Sequence, residues 1–314
     1  MKWRYAGVRV LHALPVLVLV TFVVFMILLA LPGDPTLALL GDQASNEERQ
    51  VLREKMGLDR PLPVQYLNWA WNTASGEFGR SLRTQEPVSQ MLAQRVPVTL
   101  QLTLMSIAFA LIVGVPLGIL AAARRNSWID FVASSAALTG MAMPYFWVAI
   151  LLIMFFSLRL GWFPPSGYVP FFEDPLGNLK LMVLPTLTVG SAMTALVMRQ
   201  TRASVVQSLS QDFTRTAYAK GASELRVLWR HALPNALVPI VTVVGLQAGA
   251  LVSGAVVTET VFALPGLGRM VVEGIFERDI APVQAGILVI VFGVLLINLV
   301  TDLVYAVLDK RIKL

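Results

Sequence analysis

The chain has 314 residues, of which 56% are hydrophobic and only 14% are charged, and its formal net charge is +6 at pH 7. A soluble domain of this length carries more charge, so the composition excludes that class and predicts an integral membrane protein. The absence of cysteine excludes disulfides, cysteine catalysis and thiolate metal sites, and the two histidines, His12 and His231, are too far apart to suggest a metal cluster.

An apolar run at the N terminus extends from Val8 to Leu31. It is far longer than the apolar region of a signal peptide, so it predicts an uncleaved first membrane span within residues 1–31, over 9–31. Five later stretches are also long enough to cross about 30 Å of hydrocarbon at about 1.5 Å per residue. They cover residues 98–123, 130–157, 181–203, 236–261 and 283–307. We therefore predict an all-α integral membrane protein with six transmembrane helices.

The segment between the first two spans, residues 32–97, differs in composition from the rest of the chain. It holds eight acidic and seven basic residues and turn signals such as PGDP. Ser45 with Glu48 three residues later predicts a capped helix, and Gly57 marks its end. These features predict a small folded outer subdomain, which serves either as a stabilising lid or as a docking site for an external partner.

Basic residues are distributed unequally between the two sides of the predicted core, residues 98–308. Fourteen Lys and Arg lie on the side that includes residues 204–235 and the tail 309–314, and four lie on the other side. The positive-inside rule therefore predicts that both termini and residues 204–235 are cytoplasmic. The net charge is then mainly an orientation signal, which favours contact with the lipid bilayer and gives no support to a nucleic-acid partner.

The segment between the fourth and fifth spans contains TRTAYAKGASELRVLWRHALPN at residues 214–235. Asp212 predicts the N-cap of a helix over 213–220, because its carboxylate accepts a hydrogen bond from an exposed backbone N–H. Gly221 is able to take a positive φ and end this helix. The residues that follow predict a second helix, so that the whole segment forms a compact elbow.

The second elbow helix is predicted to begin near Ser223–Glu224. Its apolar residues recur at helical spacing and predict one stripe, formed by Leu225, Leu228, Trp229 and Ala232. Pro234 suits the first turn of the fifth span, where a missing N–H is tolerated. Such an elbow either lies on lipid headgroups or carries a push from a soluble motor to the spans that it joins.

The elbow sequence resembles a pattern in the permease subunits of bacterial ABC importers: Glu-Ala-Ala, three residues, Gly, nine residues and Ile-x-Leu-Pro. Arg215-Thr216-Ala217 and Gly221 take the first places, and His231-Ala232-Leu233-Pro234 take the last. The arginine, threonine and histidine depart from the pattern, in a form similar to dipeptide and oligopeptide permeases. In this family the elbow is the coupling helix that docks on the ATP-binding subunit. The resemblance implies coupling roles for Phe213, Arg215, Thr216, Ala217, Tyr218, Lys220, Gly221, Glu224, His231, Leu233 and Pro234.

Further blocks extend the resemblance over most of the chain, to the subunit type whose best-known members carry dipeptides. They are LPGDP (31–35), MGLDRPLPVQYLNW (56–69), GEFGRS (76–81), RVPVTLQLT (95–103), LGWFPPSGY (160–168), TETVFALPGLGRM (258–270) and INLVTDLVYAVLDKRI (297–312). The last block departs from the family at Lys310, where a proline is usual. One such block would be weak evidence for the family, but seven blocks in the same order are specific evidence.

Small residues and prolines mark special positions within the predicted spans. Gly245 and Gly249 form a GxxxG, which serves either packing within the chain or a face for a second permease. Pro144, Pro185 and Pro239 are predicted to kink spans three, four and five.

Polar side chains within the spans are candidates for the transport path. Glu259 is the only acid near the outer end of span five, which suggests a transport role; alternatively it pairs with Arg269 or caps the ALPGLG loop at 263–268. Asn298 and Asp302 share one face of span six, where a structural hydrogen bond is favoured over an ion site. The candidate pore or gating residues are Gln247, Ser253, Glu259, Asn298 and Asp302.

Sequence motifs for catalysis are missing: neither GxxxxGK[ST], HExxH nor GxSxG occurs, so the chain is predicted not to be an enzyme. A stand-alone secondary transporter is one rival, but its ion coupling is hard to build with essentially two acids in the spans, Glu259 and Asp302. A second rival, an intramembrane enzyme or assembly scaffold, would need a cluster of reactive or metal-binding groups, and none converges.

The resemblance therefore implies a multi-pass permease of the bacterial inner membrane that takes short peptides from a substrate-binding protein. A second homologous permease and two ATP-binding subunits are the other implied partners. ATP and Mg²⁺ would bind to those subunits, and no cofactor is expected in this chain. Relatives in the subfamily carry nickel chelates, glutathione or opines, and the spans do not separate these cargoes from peptides.

Overall fold

The computed structural model describes residues 11, 14–26, 45–55 and 57–308 of the chain. Within these ranges the regular structure is helical, apart from one isolated bridge between Arg80 and Pro87. The all-α prediction is confirmed. The helices are α1 (Leu14–Met26), α2 (Asn46–Lys55), α3 (Leu62–Ala74), α4 (Val88–Ala123), α5 (Trp128–Ala142), α6 (Tyr145–Leu152), α7 (Pro175–Leu209), α8 (Asp212–Ala219), α9 (Glu224–Val227), α10 (Leu233–Gly254), α11 (Val256–Val261), α12 (Leu267–Glu277) and α13 (Ile280–Leu308).

Four helices in the described part of the chain are long and apolar enough to cross a membrane. They are Val88–Ala123, Pro175–Leu209, Glu224–Leu251 and Ile280–Val304. A fifth span is formed if α5 and the helix over Tyr145–Arg159 act together. The predicted first span and the tail 309–314 lie partly or wholly outside the described residues, as do the turn at 32–35 and Lys310.

The kink predicted at Pro144 in the third span, 130–157, is confirmed, and it divides this span into two helices. The chain bends by 107° between α5 and α6, and Met143 adopts an extended conformation with φ −80° and ψ 127°. Pro144 causes this break, because proline disfavours helical backbone at the residue before it and donates no hydrogen bond. By contrast, α7 and α10 continue through Pro185 and Pro239.

Helices α4 and α7 form the centre of the bundle and approach each other closely at two glycines. A Cβ added to Gly118 would lie 2.6 Å from the Met198 carbonyl oxygen, and one added to Gly114 would lie 2.9 Å from the Thr194 carbonyl oxygen. Neither position has room for a side chain. The core around this contact is apolar and includes Val98, Leu102, Met193 and Val197.

The predicted GxxxG of span five packs within the chain. A Cβ at Gly245 would lie 2.4 Å from the Thr301 side chain, and one at Gly249 would lie 3.4 Å from Val294. Both contacts are with α13, so the interpretation as intramolecular packing is confirmed for these two glycines.

The segment before α4 follows its sequence signals where it is described. The backbone N–H of Ser45 donates to Glu48 (2.9 Å), and the N–H of Glu48 donates to the Ser45 hydroxyl (3.2 Å), which confirms the capping box. The Ser45 backbone N–H and the Ser45 hydroxyl both donate to the Glu48 carboxylate, and these two bonds lower the pKa of the carboxyl below its ordinary value. Gly57 takes φ +66° as predicted. Tyr66 of α3 packs edge-on against Phe22 of α1, so this segment contacts the first helix.

Candidate functional site

The first elbow helix, α8, begins one residue earlier than predicted. Asp212 is its first residue and not its N-cap, because the carbonyl of Gln211 already accepts hydrogen bonds from Thr214 and Arg215 (3.1 and 3.3 Å). The Asp212 carboxylate therefore lies in the first turn, where the helix N-terminus still favours a negative charge. It also lies 3.5 Å from the Arg215 guanidinium, but both groups are so exposed that this ion pair contributes little.

Gly221 ends α8 with φ +78°, which confirms the predicted turn. The N–H of Gly221 donates to the Tyr218 carbonyl (2.9 Å), and that of Ala222 donates to the Ala217 carbonyl (3.2 Å). These two bonds form a Schellman motif, the arrangement that closes a helix through a left-handed residue. A Cβ at Gly221 would meet nothing within 4 Å, so the glycine is needed for its backbone conformation and not for space.

The predicted stripe of the second elbow helix is half wrong. Leu228 and Ala232 are buried, but Leu225 and Trp229 are 69% and 58% exposed. The buried side of this helix is instead formed by Val227, Leu228, Ala232 and Ala236, so it is displaced from the predicted stripe. A π-helical segment covers Leu228–Ala232. This segment precedes Pro234, whose ring would clash with the carbonyl four residues before it in a regular α-helix.

The second elbow helix continues into the fifth span without a break in helical structure. The segment Glu224–Leu251 is one helical rod that contains α9, the π-helical segment and most of α10. Pro234 occupies the first turn of α10, as predicted. Leu228 packs in a buried cluster with Ile119 of α4 and Val205 of α7. The elbow is therefore attached to three helices of the bundle at once.

The outer surface of the elbow is apolar and aromatic between its charges. We call the exposed side chains of Phe213, Tyr218, Leu225 and Trp229 the elbow face. The other predicted coupling residues Arg215, Thr216, Lys220, Gly221, Glu224 and Pro234 are also exposed, whereas His231 and Leu233 are half-buried. Ala217 is buried and faces the bundle beside Thr214, whose hydroxyl donates to the Ser208 carbonyl (2.9 Å).

A polar recess of about 480 Å³ opens beside the elbow. Its wall is formed by the last turns of α7, the start of α8 and the first turns of α10. The lining residues are Ser204, Gln207, Ser208, Gln211, Phe213, Asn235 and Pro239. No ionisable side chain lines it, so it offers hydrogen-bonding groups without a fixed charge.

Glu259 lies at the opposite end of the bundle and is fully buried. Its carboxylate accepts hydrogen bonds from the Thr99 hydroxyl (2.7 Å) and the Arg269 backbone N–H (2.8 Å). Thr99 also accepts a hydrogen bond from the Leu267 N–H (2.8 Å). Glu259 thus caps the first turn of α12 and ties it to α4, as the loop-capping alternative expected. The Arg269 guanidinium pairs instead with Glu273 (2.6 Å). We call Glu259, Thr99 and the start of α12 the carboxylate clamp.

A second buried carboxylate, Asp279, secures the same end of the bundle and was missed in the sequence. It accepts hydrogen bonds from the Ser81 hydroxyl and the Leu82 backbone N–H (3.0 Å). Arg83 forms an ion pair with Glu277 nearby (2.7 Å). The GEFGRS block is therefore fixed to the corner between α12 and α13. The only sequence signal for Asp279 was its position between two helical stretches.

A third buried carboxylate, Asp130, corrects the expectation that the spans hold essentially two acids. It lies in α5 and forms a bidentate ion pair with Arg202 of α7. The Arg202 Nε donates to Oδ1, and the Arg202 Nη2 donates to Oδ2 (2.7 Å). The backbone N–H of Asn126 donates to it as well (2.9 Å). Because its charge is fully engaged, Asp130 stabilises the elbow end and is unsuited to ion coupling.

The other candidate pore residues are not brought together with Glu259. Asn298 is exposed on α13, and Gln247 and Asp302 are half-buried; the side chain of Ser253 lies outside what the structure describes. Asn298 and Asp302 lie in the half of α13 nearer the elbow. Their pore or gating role stays a prediction.

Two family models match the sequence. The model described as a binding-protein-dependent transport system inner membrane component matches residues 114–314. The model for the N-terminal region of membrane components of such systems matches residues 3–103. The first includes the elbow, the Asp130 ion pair and most of the clamp, and the second ends within α4.

Relatives of similar length are named as permeases of transport systems. A protein of Brucella abortus (strain 2308), named for a peptide transport system permease, is 42% identical over 305 residues, or 97% of each chain. The dipeptide transport system permease protein DppB of Alkalihalophilus pseudofirmus is 39% identical, over 98% of this chain and 99% of its own. The glutathione transport system permease protein GsiC of Escherichia coli (strain K12) is 40% identical over 99% of each.

The fold also has a match among solved structures. The inward-facing MetNI methionine ABC transporter aligns with a TM-score of 0.61 and 18% identity, covering 72% of this chain and 99% of that chain. At this identity the match shows a shared fold and nothing about cargo.

Proposed function

The chain belongs to the family of binding-protein-dependent transport system inner membrane components, the permeases of ABC importers, and we propose that its cargo is short peptides. It supplies the membrane permease and not the ATPase of such an importer. Relatives named for peptides, dipeptides and glutathione support this cargo class. Nickel chelates and opines are less favoured, because none of these three relatives is named for them.

The proposed assembly sits in the inner membrane of a bacterium. A second homologous permease completes the path, two subunits bind ATP and Mg²⁺ on the cytoplasmic side, and a binding protein delivers peptide on the other. The elbow end is the cytoplasmic one in this proposal, since it carries most of the basic residues.

The elbow face is the observation that carries the proposed mechanism. Four exposed apolar or aromatic side chains surround a rigid Schellman turn, which is the composition of a protein-binding surface. The elbow is anchored by Leu228 to α4 and α7 and is continuous with α10. Closure of the ATP-binding subunits would therefore tilt these helices together and open the path alternately to each side.

The recess beside the elbow suits the proposed cargo. Its amides and hydroxyls are able to exchange hydrogen bonds with a peptide backbone of any sequence. The lack of a fixed charge in its wall avoids a strong preference for one kind of side chain. Selection among peptides is then left to the binding protein.

The test uses the complete complex in liposomes and compares two tryptophans whose exposures in this chain are similar, 58% for Trp229 and 61% for Trp162. Trp229→Ala removes part of the elbow face, and Trp162→Ala removes a side chain that is 61% exposed at the opposite end. We expect Trp229→Ala to weaken binding of the ATP-binding subunits about 30-fold, the size typical of an interface hot spot, and to abolish peptide-stimulated ATP hydrolysis. Trp162→Ala should change neither. Equal effects of the two changes would refute the coupling role, and uptake by the chain without ATP-binding subunits would favour the stand-alone transporter.

A further inference from the structure

An apolar groove lies on the surface of the bundle between α4, α5 and α7, on a face that the proposed mechanism does not use. Its volume is about 540 Å³. Leu117 and Leu120 form one wall, Trp128 and Val132 the second, and Ala195 and Met198 the third. The only polar lining residues are Ser191 and Thr194, so the groove suits a hydrocarbon ligand.

The groove has the length of one bilayer leaflet. Its lining on α5 extends from Trp128 to Gly140, which is about 18 Å along a helix axis at about 1.5 Å per residue. Half of a hydrocarbon core about 30 Å thick is about 15 Å. A fatty acyl chain that starts at the Trp128 end would therefore run along the whole groove.

Positive charge surrounds the Trp128 end of the groove. Arg124 and Arg125 form the turn between α4 and α5, and Arg199 lies one helical turn beyond Ala195 on α7. All three are exposed, and none forms an ion pair within the part of the chain that the structure describes. Trp128 is itself 74% exposed, as expected of tryptophan at the level of the lipid headgroups. This mouth is complementary to a phosphate group.

We infer that the groove binds one anionic phospholipid of the cytoplasmic leaflet, with its phosphate at Arg124 and Arg125 and one acyl chain between α4, α5 and α7. Placement in that leaflet depends on the orientation in the proposed function. The lipid would cover the face beside the Asp130–Arg202 ion pair and stabilise the elbow end. Helix α1 is not the occupant, because Gln284 of α13 binds its Val24 carbonyl (3.1 Å).

The test measures quenching of Trp128 fluorescence in the complete complex, reconstituted with phosphatidylglycerol or phosphatidylcholine carrying brominated acyl chains. Subtracting the signal of a Trp128→Phe complex isolates this tryptophan. Each basic residue near a membrane surface favours an anionic lipid about fivefold, so phosphatidylglycerol should quench Trp128 at a mole fraction about 25-fold lower than phosphatidylcholine. Arg124→Gln with Arg125→Gln should remove this 25-fold contribution and leave at most the smaller contribution of Arg199, and the paired change to lysine should keep it. Arg159→Gln, at an exposed arginine of the opposite end, should leave it unchanged.

A second pair of variants tests the groove itself. Ala136→Phe fills the groove, whereas Leu138→Phe changes an exposed residue of the same helix outside it. Only the first should lower quenching by phosphatidylglycerol to the phosphatidylcholine level. The inference is overturned by equal quenching from both lipids, or by a preference that either the glutamine pair or Ala136→Phe leaves undiminished. Absence of quenching by both lipids also overturns it, because a helix of the second permease would then cover the groove. If the lipid inference fails, peptide-stimulated ATP hydrolysis by the complex should still be intact. If the proposed function fails, that hydrolysis is absent, so the two failures are distinguishable.

Discussion

Removing the Glu259 carboxylate should destabilise the end of the bundle opposite the elbow. Glu259→Ala leaves the Thr99 hydroxyl and the backbone N–H groups of Gly268 and Arg269 without their acceptor. Each unpaired buried group costs about 1–3 kcal/mol, so the loss should be about 4 kcal/mol or more. Glu259→Gln keeps the shape but turns one acceptor into a donor, and the loss of a charged hydrogen bond should cost about 2 kcal/mol.

The assay for this prediction is reversible unfolding of the purified complex in mixed micelles, combined with a double-mutant cycle. Thr99→Val and Glu259→Gln should couple by about 1 kcal/mol, because the two side chains share one buried hydrogen bond. Glu77→Gln, at an exposed acid, serves as the control and should change stability little. Additive effects of the two clamp changes would refute the clamp. So would a Glu259→Gln complex that is fully stable but transports nothing, since the carboxylate would then act in transport.

Three further changes test the contacts at the elbow and in the core. Gly221→Ala should cost about 1–2 kcal/mol through its left-handed φ, without any clash, and should lower peptide-stimulated ATP hydrolysis; unchanged hydrolysis would show that the turn need not be rigid. Asp130→Asn strips Arg202 of its charge partner and should lower stability by about 3 kcal/mol in the same unfolding assay, whereas a loss below about 1 kcal/mol would mark the pair as solvated. Gly118→Ala should prevent close packing and reduce the yield of folded chain, while Gly140→Ala, with its nearest neighbour 3.7 Å away, should not; equal yields would contradict the close approach.

Local chemistry was enough to predict the turns of this protein. The positive φ of Gly221 and the capping box of Ser45 and Glu48 depend on residues at most a few positions apart, so their signals survive in the sequence. The burial pattern of the second elbow helix could not be predicted in the same way. Leu225 and Trp229 fit an apolar stripe, but the helix packs on the bundle through Val227 and Leu228, and the spacing of apolar residues does not show which of these neighbouring faces is buried.

The sequence pattern could not predict hydrogen-bond or ion-pair partners that lie far apart in the chain. Glu259 was marked as exceptional by its charge, and its capping role was one of the alternatives considered, yet nothing indicated Thr99. The same holds for Asp130 with Arg202, because the packing of α5 on α7 brings them together. Charge and spacing single out a residue, whereas only the relative position of the helices selects its partner.

The carboxylate clamp has a consequence for biosynthesis. Its hydrogen bond joins residues 160 positions apart, and the Ser81–Asp279 bond beside it joins residues 198 apart. The end of the bundle opposite the elbow is therefore completed only when the ribosome has released most of the polypeptide into the bilayer. Until then Thr99 and Ser81 lack their carboxylate partners, so a prematurely terminated chain differs from a finished one at this end.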